Sequence, residues 1–279
     1  MGNFSEILNY QWSKKRFLCV GLDTDFRKIP AGLQKFPVAE GIFQFNRAII
    51  EATADHCCAF KPNSAFYEGY GLAGLEALIK TNGFIRENYP EHLLILDAKR
   101  ADIGNTNLGY AQAAFDIFQA HAITVHPYLG REALLPFLED RDHGVFVLCH
   151  TSNPGAAEFQ ELKIEGTDLY KIVAAKVSQD WNRNQNCGLV MGATYPEQLA
   201  EVRKLADDLP FLIPGIGAQG GDLEQTVING LNHKGNGIII NASRSIIYAS
   251  SGQDFAQAAE REAVILNKAI ETIVNDNRA

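Results

Sequence analysis

The sequence predicts an α/β fold, a single (β/α)8 barrel preceded by a short N-terminal helix and spanning residues 1–279. Three observations support this prediction. Short apolar segments recur eight times along the chain, helical patterns separate them, and no linker rich in Pro, Gly or Ser interrupts the alternation. Eight alternating βα units in one chain favour a closed parallel sheet with its helices outside, the TIM barrel architecture.

The eight predicted strands are runs of apolar, largely β-branched residues. They lie at residues 16–23, 56–63, 93–100, 122–127, 144–152, 188–194, 211–217 and 237–243. Their apolarity is continuous rather than alternating, which is typical of parallel strands covered on both faces.

Helical patterns separate most of these strands. They lie at residues 37–55, 71–89, 108–121, 167–182, 196–208 and 222–232. A last helix is predicted after the eighth strand, with one apolar face formed by Phe255, Ala259, Ala263, Leu266, Ile270 and Ile273. An open doubly wound sheet is the structural alternative, but the first strand ends in "GLDTD" and not in the GxGxxG pattern of that fold.

Composition narrows the class of protein. Of the 279 residues 46% are hydrophobic and 21% charged, and the formal net charge is −8, which disfavours a nucleic-acid or anionic-membrane surface. The sequence shows neither a signal-peptide pattern nor an apolar run of membrane-spanning length, so we expect a cytoplasmic protein. Its five cysteines lack CxxC spacing and are interpreted as buried core thiols, not as a metal or redox site.

Polar residues stand where the predicted strands end, which is where barrels of this kind carry their catalytic groups. They are Asp23, Lys61, Asp97, Lys99, His126, Ser152, Gln219, Ser243 and Arg244. The residue His126 is interpreted as a packed rim histidine, because no second histidine accompanies it as a metal ligand would require. The segment "HTSNPGA" around Ser152 has the composition of a turn.

The segment "LILDAKRADIGNT", residues 94–106, brackets Lys99 with Asp97 and Asp102. Asp97 and Lys99 are two apart on a strand, so we expect both to face the barrel interior. An ion pair that only fills the barrel is the alternative; Asp23 and Lys61 at the same rim favour a functional site. Flanking carboxylates would keep Lys99 protonated, as a proton donor and not an imine-forming nucleophile.

Two segments near the end of the chain indicate a phosphate site. The Gly-rich "PGIGAQGGDLEQT" follows the seventh strand, and "NASRS", with Arg244, follows the eighth. Barrels commonly bind phosphate at these two loops through backbone N–H groups and a cationic side chain. A flexible loop with a surface arginine is the alternative.

These motifs together resemble the orotidine 5′-phosphate decarboxylase family over nearly the whole chain. The segment "DAKRADIGNT" is similar to the family signature Asp-x-Lys-x-x-Asp-Ile-x-Asn-Thr, and "GLDTD", "FKPN", "TSNPGA" and "PGIGAQGGD" add to the likeness. Gly104 stands where many members have Pro, and His126 where an Asn is common.

The resemblance implies decarboxylation of orotidine 5′-monophosphate to UMP in pyrimidine biosynthesis without a metal or other cofactor. We expect a monofunctional enzyme, because the sequence shows no segment before the barrel that could form a phosphoribosyltransferase domain. Asp97 would face the substrate carboxylate and Lys99 would protonate C6, while Asp23 and Lys61 complete the charge array and bind the ribose hydroxyls. Binding contacts would further come from Ser152 to the pyrimidine edge, from Gln219 and Arg244 to the phosphate, and from Asp102, Ile103 and Thr106 to the site of a partner in a homodimer.

Two other functions compete with this interpretation. A Mg²⁺-dependent sugar-phosphate decarboxylase or hexulose-phosphate synthase of the same superfamily carries a similar Asp-x-Lys-x-x-Asp motif. The Ile103 and Asn105-Thr106 continuation and the Ser152 loop favour the nucleotide enzyme. A non-catalytic nucleotide-binding barrel is the second alternative; the four-charge array argues against it, because burying charge that serves no chemistry is costly.

Overall fold

The computed structural model, which describes residues 2–216 and 221–277, closes eight parallel strands into one barrel. The barrel strands are β1 Leu18–Gly21, β2 Ala59–Lys61, β3 Leu93–Arg100, β4 Ala122–Val125, β5 Gly144–His150, β8 Cys187–Met191, β9 Phe211–Pro214 and β10 Ile238–Ala242. Each strand pairs with its neighbours in chain order, and β10 closes the barrel by pairing with β1. The predicted barrel is confirmed.

Twelve α-helices are assigned within the described part of the chain, most of them packed around the strands. They are α1 Phe4–Ser13, α2 Val38–Thr53, α3 Ser64–Glu68, α4 Gly71–Asn88, α5 Gly104–Gln112, α6 Gly130–Leu138, α7 Ala157–Gln160, α8 Leu169–Lys176, α9 Pro196–Leu205, α10 Leu223–Gly230, α11 Arg244–Ile247 and α12 Phe255–Asp276. Helices α5 and α8 continue as π-helical turns, Ala113–Ile117 and Val177–Trp181.

The predicted N-terminal helix is α1, and local sequence explains where it starts. The Asn3 side chain accepts the backbone N–H of Glu6, and the Glu6 carboxylate accepts the N–H of Asn3, which forms a capping box. Phe4 then packs edge-to-face on Phe146, with 5.6 Å between ring centroids. A Cβ on Gly144 would lie 2.4 Å from the Phe4 ring, so α1 can seat against the barrel only because that residue is glycine.

The sequence did not predict helices α3, α6, α7 and α11, nor a two-stranded hairpin. Helix α6 contains Pro136 two residues before its end, where a proline normally argues against a helix. A short antiparallel hairpin, β6 Lys163–Ile164 and β7 Thr167–Asp168, extends the connection between β5 and α8. Pro136 interrupts the local pattern of α6, and the hairpin strands are short and largely exposed, so neither element has a clear signal in the sequence.

The core lies inside the barrel and between the barrel and its helices. All five cysteines are buried and unbridged, which agrees with their interpretation as core thiols. Burial raises the pKa of Cys19 to about 12, so this thiol stays protonated and unreactive at neutral pH. Among the helices described, none is both long enough and apolar enough to cross a bilayer.

Candidate active site

A cavity of about 140 Å³ opens at the carboxyl ends of the barrel strands. Its polar lining includes Asp23, Lys61, Asp97, Asn241, Ser243 and Arg244. Four of these six were predicted as site residues from the sequence, and they come from strands β1, β2, β3 and β10. Because the barrel closes between β1 and β10, residues that follow the first and the last barrel strand meet at this cavity.

Asp97 is the centre of the charged cluster and is only 8% exposed. The Lys61 Nζ lies 3.0 Å from its Oδ2, and the Lys99 Nζ lies 2.6 Å from its Oδ1. The Thr124 hydroxyl also donates to Oδ1, at 2.8 Å, and the Asn63 amide to Oδ2, at 3.4 Å. Four donors therefore hold one buried carboxylate in a single orientation.

The cluster keeps Asp97 and Lys61 ionised at neutral pH. Burial alone would raise the pKa of Asp97, but the charges of Lys61 and Lys99 hold it well below its usual range. Burial would likewise lower the pKa of Lys61, and the nearby carboxylates of Asp97 and Asp23 instead raise it above the ordinary lysine value. The site is thus an array of alternating charges, as the sequence predicted.

The way Lys99 reaches Asp97 differs from the simple strand alternation that was expected. Leu96 pairs with Ile123 but Arg100 pairs with Val125, so β3 carries two extra residues at this point. Within this bulge Lys99 has a φ of +47°, a left-handed conformation that is unfavourable for a side chain with a Cβ.

Thr124 on β4 supports that bulge from the neighbouring strand. Its hydroxyl accepts the backbone N–H of Lys99 at 2.9 Å while donating to Asp97. One hydroxyl therefore couples the backbone of the lysine to the carboxylate of the acid. Nothing in the apolar run "AITVHP" distinguished this threonine from a β-branched core residue.

Lys61 and Lys99 differ in exposure although both bind Asp97. The side chain of Lys61 is 4% exposed and that of Lys99 is 46% exposed. Lys61 is enclosed by the barrel and lines the cavity, whereas Lys99 contacts Asp97 but is not among the residues that line the cavity. The more exposed of the two lysine side chains is therefore that of Lys99, and Lys61 is the lysine that lines the cavity.

Two buried oxygen atoms at the cavity lack hydrogen-bond donors within the described residues. They are Oδ1 of Asp23 and Oδ1 of Asn241, which lie at the ends of the adjacent strands β1 and β10. Gly21 leaves room for the Ser243 side chain at this place, since a Cβ on Gly21 would lie 1.8 Å from the Ser243 hydroxyl. Asn241 was missed as a site residue; the one signal for it was an asparagine inside the apolar run "GIIINAS".

Of the two side chains predicted to bind phosphate, only that of Arg244 lies within the described residues. Arg244 is exposed at the start of α11, and its guanidinium makes no hydrogen bond or ion pair with residues 2–216 or 221–277. Its charge is therefore available to a ligand. Gln219, the other residue predicted for this role, lies outside the described residues.

The charged cluster does not include the residues predicted to serve a partner's site, which are Asp102, Ile103 and Thr106. The Asp102 carboxylate accepts the backbone N–H of Ile103 at 2.6 Å, and Asn107 clasps the Asp102 backbone through two hydrogen bonds. Thr106 is exposed, and Ile103 is 64% exposed. A Cβ on Gly104, the first residue of α5, would meet only the Glu132 carboxylate, at an ordinary contact distance of 3.9 Å, so nothing crowds this turn.

Ser152 is half-buried just beyond the end of β5 and does not line the cavity with the charged residues. His126 is half-buried at the rim, with its backbone N–H bonded to the carbonyl of Arg100 at 3.1 Å. In the described part of the chain, the one group of carboxylates and imidazoles spaced to share a metal ion is Asp207, Asp208 and His233. Asp207 and Asp208 follow helix α9, and His233 follows helix α10. None of the three lines the cavity of the charged cluster.

Comparison with known proteins identifies the family. The model of the orotidine 5′-phosphate decarboxylase / HUMPS family matches residues 16–261. The orotidine 5′-phosphate decarboxylase of Cellvibrio japonicus (strain Ueda107) is 46% identical over 269 residues, which cover 96% of this chain and 98% of that protein.

Solved structures give the same result. The OMP decarboxylase of Leishmania donovani superposes with a TM-score of 0.83 at 38% identity and covers 97% of this chain and 99% of its own. The UMP synthase of the same organism has a TM-score of 0.85 at 40% identity, and the match spans 57% of that longer chain. This chain belongs to the orotidine 5′-phosphate decarboxylase / HUMPS family.

Proposed function

We propose that this chain, a carboxy-lyase, converts orotidine 5′-monophosphate to UMP and carbon dioxide without a metal ion or organic cofactor. The observation that carries the proposal is the buried Asp97 carboxylate held between the ammonium groups of Lys61 and Lys99. The full-length relatives named as decarboxylases of this substrate support the choice of reaction. A cytoplasmic location is proposed on composition alone.

In the proposed reaction the bond between C6 and the carboxylate carbon breaks, and its electron pair stays on C6. The pyrimidine ring cannot delocalise that pair, so a fixed positive charge beside C6 lowers the barrier. Lys99 supplies that charge and then transfers a proton from Nζ to C6, giving UMP, and it regains a proton from water. Its partly exposed ammonium group suits this role better than the enclosed Lys61.

Asp97 would face the substrate carboxylate, and the repulsion between the two would be relieved as carbon dioxide leaves. Four donors hold Asp97 in place, so it cannot turn away from the bound substrate. Binding energy from the distant phosphate, through Arg244 and Gln219, would hold the substrate against this repulsion.

The ribose and the base would be bound at the remaining positions. Asp23 has a buried oxygen without a donor, and a ribose hydroxyl would supply one. Lys61 would contact the ribose from the other side of the array. Ser152 would bind the pyrimidine edge, across the barrel mouth from the phosphate.

We further propose that the chain acts as a homodimer in which Asp102, Ile103 and Thr106 complete the partner's site. An exposed apolar surface surrounds these residues, formed by Ile103, Leu108, Tyr128 and Leu129, whose exposed fractions are 64%, 59%, 87% and 45%. Exposed apolar surface of this kind, next to polar groups without a role in their own site, fits a two-fold contact.

Mixing two inactive variants tests the shared site. Each proposed site takes Lys99 from one subunit and Asp102 from the other. Every site of a Lys99→Ala or an Asp102→Ala homodimer therefore lacks one of the two residues. In a mixed dimer one site lacks both residues, and the other site is complete. Random re-association should restore about a quarter of the wild-type activity. A mixture that stays as inactive as its components, although the dimers exchange subunits, would refute the sharing.

The Mg²⁺-dependent sugar-phosphate reaction is the second candidate, since the family description covers it as well. It requires the Asp97 carboxylate to ligate a cation. Both oxygens of Asp97 already contact ammonium groups or a hydroxyl that donates to them, and a divalent ion there would lie close to two positive charges. The geometry therefore favours the metal-independent reaction.

The deciding experiment is decarboxylation of orotidine 5′-monophosphate by purified protein treated with a chelator, followed by the loss of substrate absorbance. We expect turnover by the wild type and a loss of roughly a thousandfold in Lys99→Ala. The matched control is Lys204→Ala, since Lys204 is exposed on α9. Activity that appears only with Mg²⁺ and a sugar phosphate would establish the second candidate, and binding of UMP without turnover would make the chain a binding protein.

A further inference from the structure

The segment that follows β5 folds back onto the end of that strand through two side chains. Glu161 bonds His150, with 3.0 Å between Oε1 and Nε2. Gln160 accepts the backbone N–H of Thr151 at 2.8 Å and donates to the Thr151 hydroxyl at 2.9 Å. The residues so held, His150 and Thr151, immediately precede Ser152.

His150 is a rigid anchor point for this contact. Its side chain is fully buried, and its ring lies edge-on to Tyr170 and Tyr195, with centroid distances of 4.8 Å and 4.6 Å. An ionised carboxylate can only accept, so Nε2 of the ring donates to Glu161. Removing the Glu161 carboxylate would leave that donor without its partner in an enclosed position, which is unfavourable.

The end of β5 is irregular at the same place. Leu148 pairs with Val190, but His150 pairs with the next residue, Met191, so β5 carries one extra residue. Such bulges redirect the side chains that follow them. The extra residue lies between Leu148 and His150, directly before the two residues that Gln160 and Glu161 hold.

The opposite side of Ser152 is held by the end of β8. A Cβ on Gly192 would lie 2.6 Å from the Ser152 nitrogen, so glycine allows the two strand ends to touch. The Thr194 hydroxyl donates to the Ser152 carbonyl at 3.5 Å. The backbone of Ser152 is thus enclosed, while its hydroxyl makes no hydrogen bond to the described residues.

We propose that Gln160 and Glu161 are positioning residues for recognition of the pyrimidine base. Acting through Thr151 and His150, they hold Ser152 so that its hydroxyl meets the edge of the base. The inference rests on the proposed function, in which Ser152 binds that edge. It assigns a role in base binding to a segment that touches neither the charged cluster nor Arg244.

This role predicts that losses are confined to the base. UMP and ribose 5-phosphate share the phosphate and the ribose, and only UMP presents a pyrimidine. Weakening the support of Ser152 should therefore lower affinity for UMP and leave affinity for ribose 5-phosphate unchanged. A general loosening of the barrel would weaken both ligands.

The experiment measures dissociation constants of UMP and of ribose 5-phosphate by titration calorimetry. The variants are Gln160→Leu, Glu161→Ala, Glu161→Gln and Ser152→Ala, with Glu158→Ala as the control because Glu158 is exposed in the same short helix. We expect Gln160→Leu and Glu161→Ala each to weaken UMP by roughly tenfold and ribose 5-phosphate by less than about twofold. Glu161→Gln, whose amide can still bond His150, should recover most of the affinity.

A double-variant comparison separates positioning from independent contacts. Once the Ser152 hydroxyl is removed, adding Glu161→Ala should cause little further loss of UMP affinity. The inference is overturned if UMP affinity is unchanged in Gln160→Leu and Glu161→Ala, if ribose 5-phosphate weakens equally, or if the double variant shows the sum of both losses.

The wild type and Ser152→Ala separate this inference from the function on which it rests. A wild type that neither decarboxylates orotidine 5′-monophosphate nor binds UMP contradicts the proposed function. A wild type that does both, while Ser152→Ala keeps full UMP affinity, leaves the reaction intact and refutes the base-positioning role.

Discussion

The two sides of the barrel mouth differ in how their charges are held. On the side of β2 and β3, Lys61 and Asp97 are buried and paired, and neighbouring side chains hold both. On the side of β10, Arg244 is exposed, and its guanidinium has no partner among the residues described. The charges proposed to act on the reacting carbon are thus preorganised by the protein, whereas the charge proposed to bind the phosphate is open to solvent.

This difference agrees with the role proposed for each side. Stabilising a short-lived carbanion requires charges already in place, because reorganisation during the reaction would raise the barrier. Holding a phosphate requires only an available cation, since the ligand itself brings the complementary charge. The contrast predicts opposite effects of mutation on stability and on binding at the two sides.

Asp97→Asn should give the largest effect. Its loss removes the one carboxylate that bonds Lys61 among the residues described, so we expect decarboxylation to fall by roughly a thousandfold or more. The free energy of unfolding should fall by about 3 kcal/mol, because a buried cation is left without its partner. Steady-state kinetics and urea unfolding measure the two losses.

The control for this variant is Asp116→Asn, at an exposed position beyond α5. It should change neither quantity. An Asp97→Asn protein that is as stable as the wild type would mean that the buried side of the mouth is not held by this ion pair.

Arg244→Ala should affect binding and not stability. We expect KM for orotidine 5′-monophosphate to rise roughly 10- to 100-fold, as for loss of a charge-assisted hydrogen bond. The free energy of unfolding should stay within about 0.5 kcal/mol of wild type, because the side chain is exposed. Orotidine, which lacks the phosphate, serves as the control substrate, and an equal loss with orotidine would place Arg244 outside the phosphate site.

Thr124→Val should give a smaller effect on the preorganised side. The hydroxyl links the Lys99 backbone to the Asp97 carboxylate, and valine has the same shape without it. We expect kcat to fall several-fold with little change in KM, and the free energy of unfolding to fall by about 1–2 kcal/mol. The same substitution at Thr272, on the exposed surface of α12, should leave both unchanged, and an unaltered kcat in Thr124→Val would exclude a role for this link.

The pH dependence of stability should differ between the two sides. The folded protein holds the pKa of Asp97 below its unfolded value, near 4, so the stabilisation is present above that pH and is lost on further acidification. The difference in unfolding free energy between wild type and Asp97→Asn should therefore be constant from about pH 5 to 8 and shrink below about pH 4.

Arg244→Ala should show no such change, and its unfolding free energy should follow the wild type across the same range. Urea unfolding at a series of pH values measures both differences. A gap between wild type and Asp97→Asn that persists unchanged into acid would mean that the ionised Asp97 does not stabilise the fold.

Much of the fold could be predicted because its signals are local. Continuous apolar runs gave the eight barrel strands, and the last helix, α12, buries Ala259, Ala263 and Ile270 of its predicted face. Helix α6 was missed since Pro136 breaks its local pattern, and the β6–β7 hairpin has no apolar face to reveal it.

The sequence by itself determined the barrel and the pairing of Asp97 with Lys99, because residues two apart remain close whatever the rest of the chain does. Only the tertiary structure decided that Lys99 sits in a bulge supported by Thr124, and that Asn241 meets the cavity beside Asp23. The first contact joins β3 to β4, where Thr124 lies inside an apolar run. The second joins β10 to β1, which are far apart in sequence. Barrel closure creates such contacts, and the local sequence around Thr124 and Asn241 is that of an apolar core strand, so it did not reveal that these two polar side chains reach the site.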